Sequence, residues 1–436
     1  MIGLHITTQG CKLNQFDSAE LAGALRGAAT LVPDPAGALL VIVNTCTVTG
    51  AADADARQAL RRRRRESPRA LIVATGCYAE RDPEALRAMP EVDLVLTREE
   101  RPRASRLILT LLHERFPDEL ADGCADRVAE ETLPDFGERT RAFLRVQEGC
   151  DLSCSYCVIP QVRGASRSVP PVQLERRLGL LLDAGFREVV LTGVNTGDYG
   201  KDLTPREDLA GLLSRLARRE GDFRIRLNSV EPRCVTPELV AVIADEPKVA
   251  RHLQVPIQSG SDGVLRAMRR NYRTSHYARV MQMLRSRIPD VGIGADVIVG
   301  FPGEGEGEFG ETVSFIRSMP INYLHVFPYS RRPGTPAALM PGQVPPPAVA
   351  ERGRRLRALG GDLSRDFRRS QMARRLRALV LAGRRADGRA RALTSNFIDL
   401  TLDADLPENA FADVVITRVE GSETVAVPAP VATTGS

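Results

Sequence analysis

The chain has 436 residues, 43% hydrophobic and 26% charged, ordinary values for a globular protein with room for two to four domains. No apolar run approaches the length of a bilayer crossing, and no signal-peptide pattern opens the chain; no membrane span and a cytoplasmic location are expected. Sixty Lys and Arg against 55 Asp and Glu leave a net charge of +5, which permits a nucleic-acid partner without arguing for one. In a reducing compartment the eight cysteines point to metal ligands or catalytic groups rather than disulfides.

Residues 1–113 read as the first domain. Apolar runs at Leu4–Thr8, Leu39–Val43, Leu71–Ala74 and Leu94–Leu96 predict strands. Helices are predicted between them, at Asp17–Gly27 and Ala51–Arg65. That alternation implies an open parallel α/β sheet covered on both faces. One cysteine sits just past the carboxyl end of each of the first three strands: Cys11, Cys46 and Cys77. Successive members are about one βα repeat apart, and parallel sheets bind ligands at that edge. The three thiols should converge there on a metal centre, although a single buried cysteine is often only a small hydrophobe. Arg61–Arg65 end the second helix. They read either as a solvated face favoured by the helix dipole or as a contact for RNA phosphates.

Residues 114–135, with Cys124 and Pro134, look like a linker, and Cys124 has no partner cysteine in sequence. Residues 136–366 open with a predicted strand at Arg139–Val146, followed by Cys150, Cys154 and Cys157 in the spacing C-x3-C-x2-C. Cubane 4Fe–4S clusters are normally held by four thiolates, so three leave one iron open to an exogenous ligand. A structural zinc loop is the alternative, but zinc completes a set of four ligands, and no histidine lies nearby.

Predicted strands then alternate with helices from Glu188 to Phe327, which suggests about six parallel strands in a partial (β/α)6 barrel. Activity in such barrels lies at the carboxyl ends of the strands. Polar or glycine-rich turns fall there: Thr192-Gly193-Val194-Asn195, Asn228-Ser229-Val230-Glu231, Pro256-Ile257-Gln258-Ser259-Gly260 and Asp296-Val297-Ile298-Val299-Gly300. Cys234 lies outside every motif and reads as structural. Gly303–Gly307 reads as an exposed acidic loop, and Pro345–Pro347 as a proline-rich turn.

A basic helical stretch, Arg352–Arg375, leads into residues 367–430, whose short alternating runs predict a small antiparallel β-barrel. The aromatic interleaving expected of an RNA-binding surface is thin, with only Phe397 and Phe411 beyond Phe367. Thr433–Ser436 is expected to be disordered.

Three stretches around the N-terminal cysteines are Gln9-Gly10-Cys11-Lys12-Leu13-Asn14, Asn44-Thr45-Cys46-Thr47-Val48-Thr49 and Thr75-Gly76-Cys77-Tyr78. Together with the cluster loop and Leu324–Thr335, they resemble the radical S-adenosylmethionine (SAM) methylthiotransferases over nearly the whole chain. The resemblance implies two 4Fe–4S clusters: Cys150, Cys154 and Cys157 hold the one that cleaves SAM, and Cys11, Cys46 and Cys77 hold the one that supplies sulfur. It implies that Gly193 and Asn195 approach the SAM amino group, and that Asp296, Ile298, Gly300 and Tyr156 border the adenine. Ser229, Glu231 and Gln258 would touch the ribose, the methionine end or the substrate. Ser395–Leu400 resembles the RNA-binding TRAM module.

The implied partners are a tRNA substrate, an electron donor such as flavodoxin or ferredoxin, and a source of sulfide or cluster sulfur. Within the family the chain looks most like the branch acting at C2 of N6-threonylcarbamoyladenosine beside the anticodon. Gly50 stands where that branch is expected to carry Asn. Sister enzymes acting on isopentenyladenosine in tRNA or on a ribosomal-protein aspartate are the alternative, and an RNA-binding protein with structural metals is the reading from another class.

Overall fold

The computed structural model describes residues 1–120, 133–137 and 139–430; Cys124 and Thr433–Ser436 lie outside them. The chain divides into two units. The first comprises 1–137, 148–166 and 330–335, and the second 138–147, 167–329 and 336–436.

The first unit is built on a five-stranded parallel sheet. In spatial order its strands are Ala29–Leu31, Ile2–Thr8, Leu40–Thr45, Leu71–Gly76 and Leu94–Leu96. The short edge strand Ala29–Leu31 was not expected; Thr30 interrupts the continuous apolar run that marks Leu94–Leu96. The central strands carry Leu40, Ile42, Leu71 and Val73 into one core with Leu4, Ile108 and Leu112. Val41, Val43, Ile72 and Ala74 enter a second core on the opposite face, with Ala56 and Leu60. Burial on both faces explains their unbroken apolar runs. The helices cover Lys12–Ala24 and Gly50–Glu66, each starting earlier than its apolar pattern suggests. Thr49 caps the second, accepting from the Ala52 amide at 3.2 Å.

The second unit contains six parallel strands in chain order: Arg141–Arg145, Glu188–Thr192, Arg224–Leu227, His252–Gln254, Gly292–Val299 and Tyr323–Pro328. They form two three-stranded sheets joined by isolated bridges Ile225–Val249 and Ser229–Gln254, a partial barrel. The stretch His252–Ile257 predicts a longer strand than the observed His252–Gln254.

Three sequence expectations are corrected here. Pro346 and Pro347 do not form a turn: they begin a 25-residue helix, Pro346–Ser370, where a missing N–H costs nothing. That helix stops before the predicted Arg375, which instead opens a strand. The C-terminal barrel is closed by five strands, but one pair, Asp399–Leu402 with Glu423–Pro428, is parallel. No helix among the described residues is long and apolar enough to cross a membrane.

Candidate cluster and cofactor sites

All six cysteines of the two triplets belong to the first unit. Each N-terminal cysteine follows a strand of the parallel sheet: Cys11 precedes the helix from Lys12, Cys46 follows Thr45, and Cys77 begins a short helix after Gly76. Gly10 has φ +88°, and a Cβ there would lie 2.9 Å from the Cys46 Cβ and 3.0 Å from its Sγ. Only glycine allows the Cys11 and Cys46 turns to approach so closely.

Burial pushes the Cys77 thiol up to about 11; Arg163 opposes the rise, and the neighbouring Cys11 and Cys46 add to it. Cys46 is raised chiefly by burial, with Cys11 contributing. Three thiols close enough to repel one another as thiolates fit a cationic centre, which reverses that repulsion when bound. Among the described residues no three His, Cys, Asp or Glu side chains converge as a single ion would need. A cubane does not require this, because each thiolate binds a different iron.

In the cluster loop, the Leu152 amide donates to Cys150 Sγ and the Ile159 amide to Cys157 Sγ, both at 3.4 Å. Backbone N–H groups aimed at sulfur suit thiolate ligands. Gly149, at φ +75°, lets the loop close on Ala165, whose carbonyl oxygen would lie 1.9 Å from any Cβ. The donor chemistry of both triplets therefore fits iron–sulfur centres. No disulfide joins the seven described cysteines. Tyr156 is half-buried in this loop.

The remaining expected cofactor residues lie in the second unit. A Cβ at Gly193 would meet the Gln147 carbonyl oxygen at 2.9 Å. Gln147 Oε1 also accepts from the Asn195 amide at 2.8 Å, and Asn195 Nδ2 donates to Asp198 at 2.7 Å. The Ser229 carbonyl accepts from Thr196 Oγ1 at 2.6 Å. Glu231 pairs with Arg270, although burial keeps its carboxyl above the usual range.

Gln258 adopts φ +63° and bridges to the strand Gly292–Val299, its amide donating to the Asp296 carbonyl at 2.8 Å and its carbonyl accepting from Ile298 at 2.9 Å. Asp296 accepts from Gln254 Nε2 at 2.6 Å and faces His325 Nδ1 at 3.2 Å. Asp296 and Ile298 are in register with His325 and Phe327 on the next strand, so these four share one face. The Gly300 amide donates to Glu304 Oε1 at 2.8 Å.

Several residues here carried no signal in the sequence. Arg163 lies beyond the cluster loop, yet its Nε reaches Cys77 Sγ at 3.3 Å. Gln147 organises the Gly193 turn from a distant strand. Glu304 is buried and ion-paired to Arg352 at 2.9 Å, which corrects the reading of Gly303–Gly307 as a wholly exposed loop. Arg61–Arg65 is neither a uniform solvated face nor an uncommitted phosphate strip. Arg63 binds Thr7 and Glu66, and Arg64 binds Asp93 and the Ala70 and Glu91 carbonyls. Phe397 packs against His252 at 4.3 Å between ring centroids and under Arg226, and Phe411 lies under Arg224 and Arg377. Arginine contacts thus occupy the two aromatics of the C-terminal barrel. Cys234 is buried enough to be pushed up to about 11 and lies 3.6 Å from Asp198 Oδ1, consistent with a structural role.

A six-stranded partial barrel in the second unit and a three-thiolate loop in the first define the class: residues 144–316 match the Radical SAM superfamily, and residues 3–97 match the uncharacterized protein family UPF0004. A solved radical SAM methyltransferase, TsrM from Kitasatospora setae, shares the fold at TM-score 0.57 and 14% identity, over 78% of this chain and 75% of its own. The chain is 41% identical to the threonylcarbamoyladenosine tRNA methylthiotransferase MtaB of Bacillus subtilis, over 83% of this chain and 80% of the relative. It is 36% identical to a tRNA-2-methylthio-N(6)-dimethylallyladenosine synthase of Acidothermus cellulolyticus (87% and 77% covered). The ribosomal protein uS12 methylthiotransferase RimO of Desulforudis audaxviator is also 36% identical (95% and 94%). The chain belongs to the radical SAM methylthiotransferase family.

Proposed function

We propose that the enzyme installs a methylthio group at C2 of N6-threonylcarbamoyladenosine, next to the anticodon of tRNA. The higher identity to the relative named for that nucleoside carries the substrate assignment, 41% against 36% for the sister activities. The target carbon has no leaving group and no acidic proton, so acid–base catalysis would not activate it. When bound, a 4Fe–4S cluster with SAM supplies the electron that cleaves SAM to a hydrogen-abstracting radical, and a second cluster supplies the sulfur.

The chain's own residues hold and orient these groups. Cys150, Cys154 and Cys157 hold the first cluster, with the Leu152 and Ile159 amides favouring their thiolates. Cys11, Cys46 and Cys77 hold the second, in a pocket whose close approach Gly10 permits. Tyr156, Gly193, Asn195, Ser229, Glu231, Gln258, Asp296, Ile298 and Gly300 orient SAM and the adenine. In this reading residues 1–113 form the sulfur-donor domain, 114–135 a linker, 136–366 the SAM-cleaving core and 367–430 a TRAM-like RNA-binding module. A small carrier such as flavodoxin or ferredoxin delivers electrons, sulfide or a cluster sulfur is transferred, and the enzyme works in the cytoplasm.

Mass spectrometry of tRNA nucleosides from a strain lacking the gene tests the proposal. Loss of the methylthio group from N6-threonylcarbamoyladenosine, restored by the gene, supports it. Loss from isopentenyladenosine, or from a ribosomal-protein aspartate, assigns the enzyme to a sister activity. Reduced, reconstituted protein that cleaves no SAM would overturn the catalytic reading altogether.

A further inference from the structure

Arg163 ends the short helix that follows Cys157, and its side chain is 3% exposed. Its Nη1 lies 2.9 Å from Asp17 Oδ2 and 3.1 Å from Glu148 Oε1. Nη2 donates to Asn14 Oδ1, and Nε donates to Cys77 Sγ at 3.3 Å. Asn14 is fully buried and passes its own Nδ2 hydrogens to the carbonyls of Gln9 at 2.9 Å and Thr45 at 3.0 Å. Those carbonyls belong to the turns carrying Cys11 and Cys46. One guanidinium thus reaches Cys77 directly and the other two cysteine turns through one amide, from the segment that carries Cys150, Cys154 and Cys157.

The two carboxylates account for the burial of the arginine charge, and Arg101 meets the same pair at 3.5 and 3.1 Å. They do not account for the Nε–H directed at sulfur. A neutral thiol is a weak acceptor, whereas a thiolate is a good one. A cationic donor at a ligand sulfur favours the more negative, reduced state of an iron–sulfur centre, since hydrogen bonds to the sulfurs are among the determinants of its potential.

The geometry points to Arg163 as a positioning residue that raises the reduction potential of the centre held by Cys11, Cys46 and Cys77, through its hydrogen bond to the Cys77 sulfur. The inference rests on the two-cluster reading above. The step is the uptake of one electron by the centre; no bond is made or broken and Arg163 stays protonated.

The test uses full-length protein carrying C150A, C154A and C157A, reconstituted anaerobically so that the N-terminal centre is alone. Its potential is read by electron paramagnetic resonance during titration with dithionite. Adding R163M, which removes both charge and donor, is expected to make reduction at least tenfold less favourable, about 59 mV more negative for one electron. R163K, which keeps the charge and loses the planar fork, should fall between. Equal potentials in the parent, R163K and R163M overturn the inference. If R163M binds no iron, R163K decides: a threefold weaker reduction equilibrium supports the role and an unchanged one overturns it. A parent that holds no iron with Arg163 intact refutes the second cluster itself, and this inference with it. Iron bound with an unmoved potential refutes only the role of Arg163.

Discussion

Glu188→Gln tests how the C-terminal barrel is fastened within the second unit. The Glu188 carboxylate is 0% exposed and lies 2.6 Å from Arg224 Nε and 3.0 Å from Arg226 Nε. The two guanidiniums continue into the C-terminal barrel: Arg224 donates to the Leu393 carbonyl at 2.8 Å, and Arg226 to those of Thr394 and Ser395 at 3.0 and 2.9 Å. Glutamine keeps the shape and one acceptor but removes the only anion among these buried groups. Losing one partner of a buried charge pair costs about 3–5 kcal/mol. The second unit has about 270 residues, and with roughly 2.1 cal/mol/K of unfolding entropy per residue that cost lowers its melting temperature by about 5–9 °C. Burial alone would raise the Glu188 carboxyl, but Arg224 and Arg226 outweigh it and hold its pKa well below the usual value. Its contribution is therefore complete above about pH 4.3 and is lost as pH falls toward the depressed folded-state value. Circular-dichroism melts of the iron-free protein should show a constant deficit between pH 8 and 5.5 that narrows below about pH 4.3. A variant melting with the wild type at neutral pH would refute the argument.

Replacing Cys150, Cys154 and Cys157 together by alanine should lower iron from about eight atoms per chain to about four, as two cubanes require. Four in the wild type would instead withdraw the sulfur-donor role of the first unit. Gly10→Ala combines a positive φ with a 2.9 Å approach to Cys46, strain of about 1–3 kcal/mol. It should cost the iron of the N-terminal centre while SAM cleavage persists, and full iron loading would contradict this. Arg352→Met leaves Glu304, which holds the Gly300 amide, buried without its cation. Equilibrium dialysis should find SAM binding weakened at least tenfold, and unchanged affinity would show that the Gly300 turn does not depend on the pair.

What the local pattern of the chain reveals and what it hides has a physical cause in each case. Cys150, Cys154 and Cys157 were legible because a tight loop fixes their proximity by chain geometry alone. Cys11, Cys46 and Cys77 were legible because a parallel sheet repeats its strand ends, so equivalent positions along the chain fall on one edge. The turns at Gly193 and Gly300 were marked by their own residues, yet the groups that shape them, Gln147 and Glu304, act from another strand or from beyond the turn. Gly50 shows the opposite limit: its amide donates to Ser330 Oγ at 2.9 Å, and a Cβ would lie in ordinary contact with Arg332 at 3.4 Å. Nothing in the packing there requires glycine.

By itself, the sequence determined the parallel sheet, the partial barrel and the two triplets, because hydrophobic period and residue spacing are local properties of a chain. Only the tertiary structure decided where the arginines go. Arg163, Arg224, Arg226 and Arg352 look alike in sequence to the exposed arginines around them. Each is buried because distant carboxylates, carbonyls or a cysteine sulfur meet its fork, and a buried charge is stable only where folding brings such partners together.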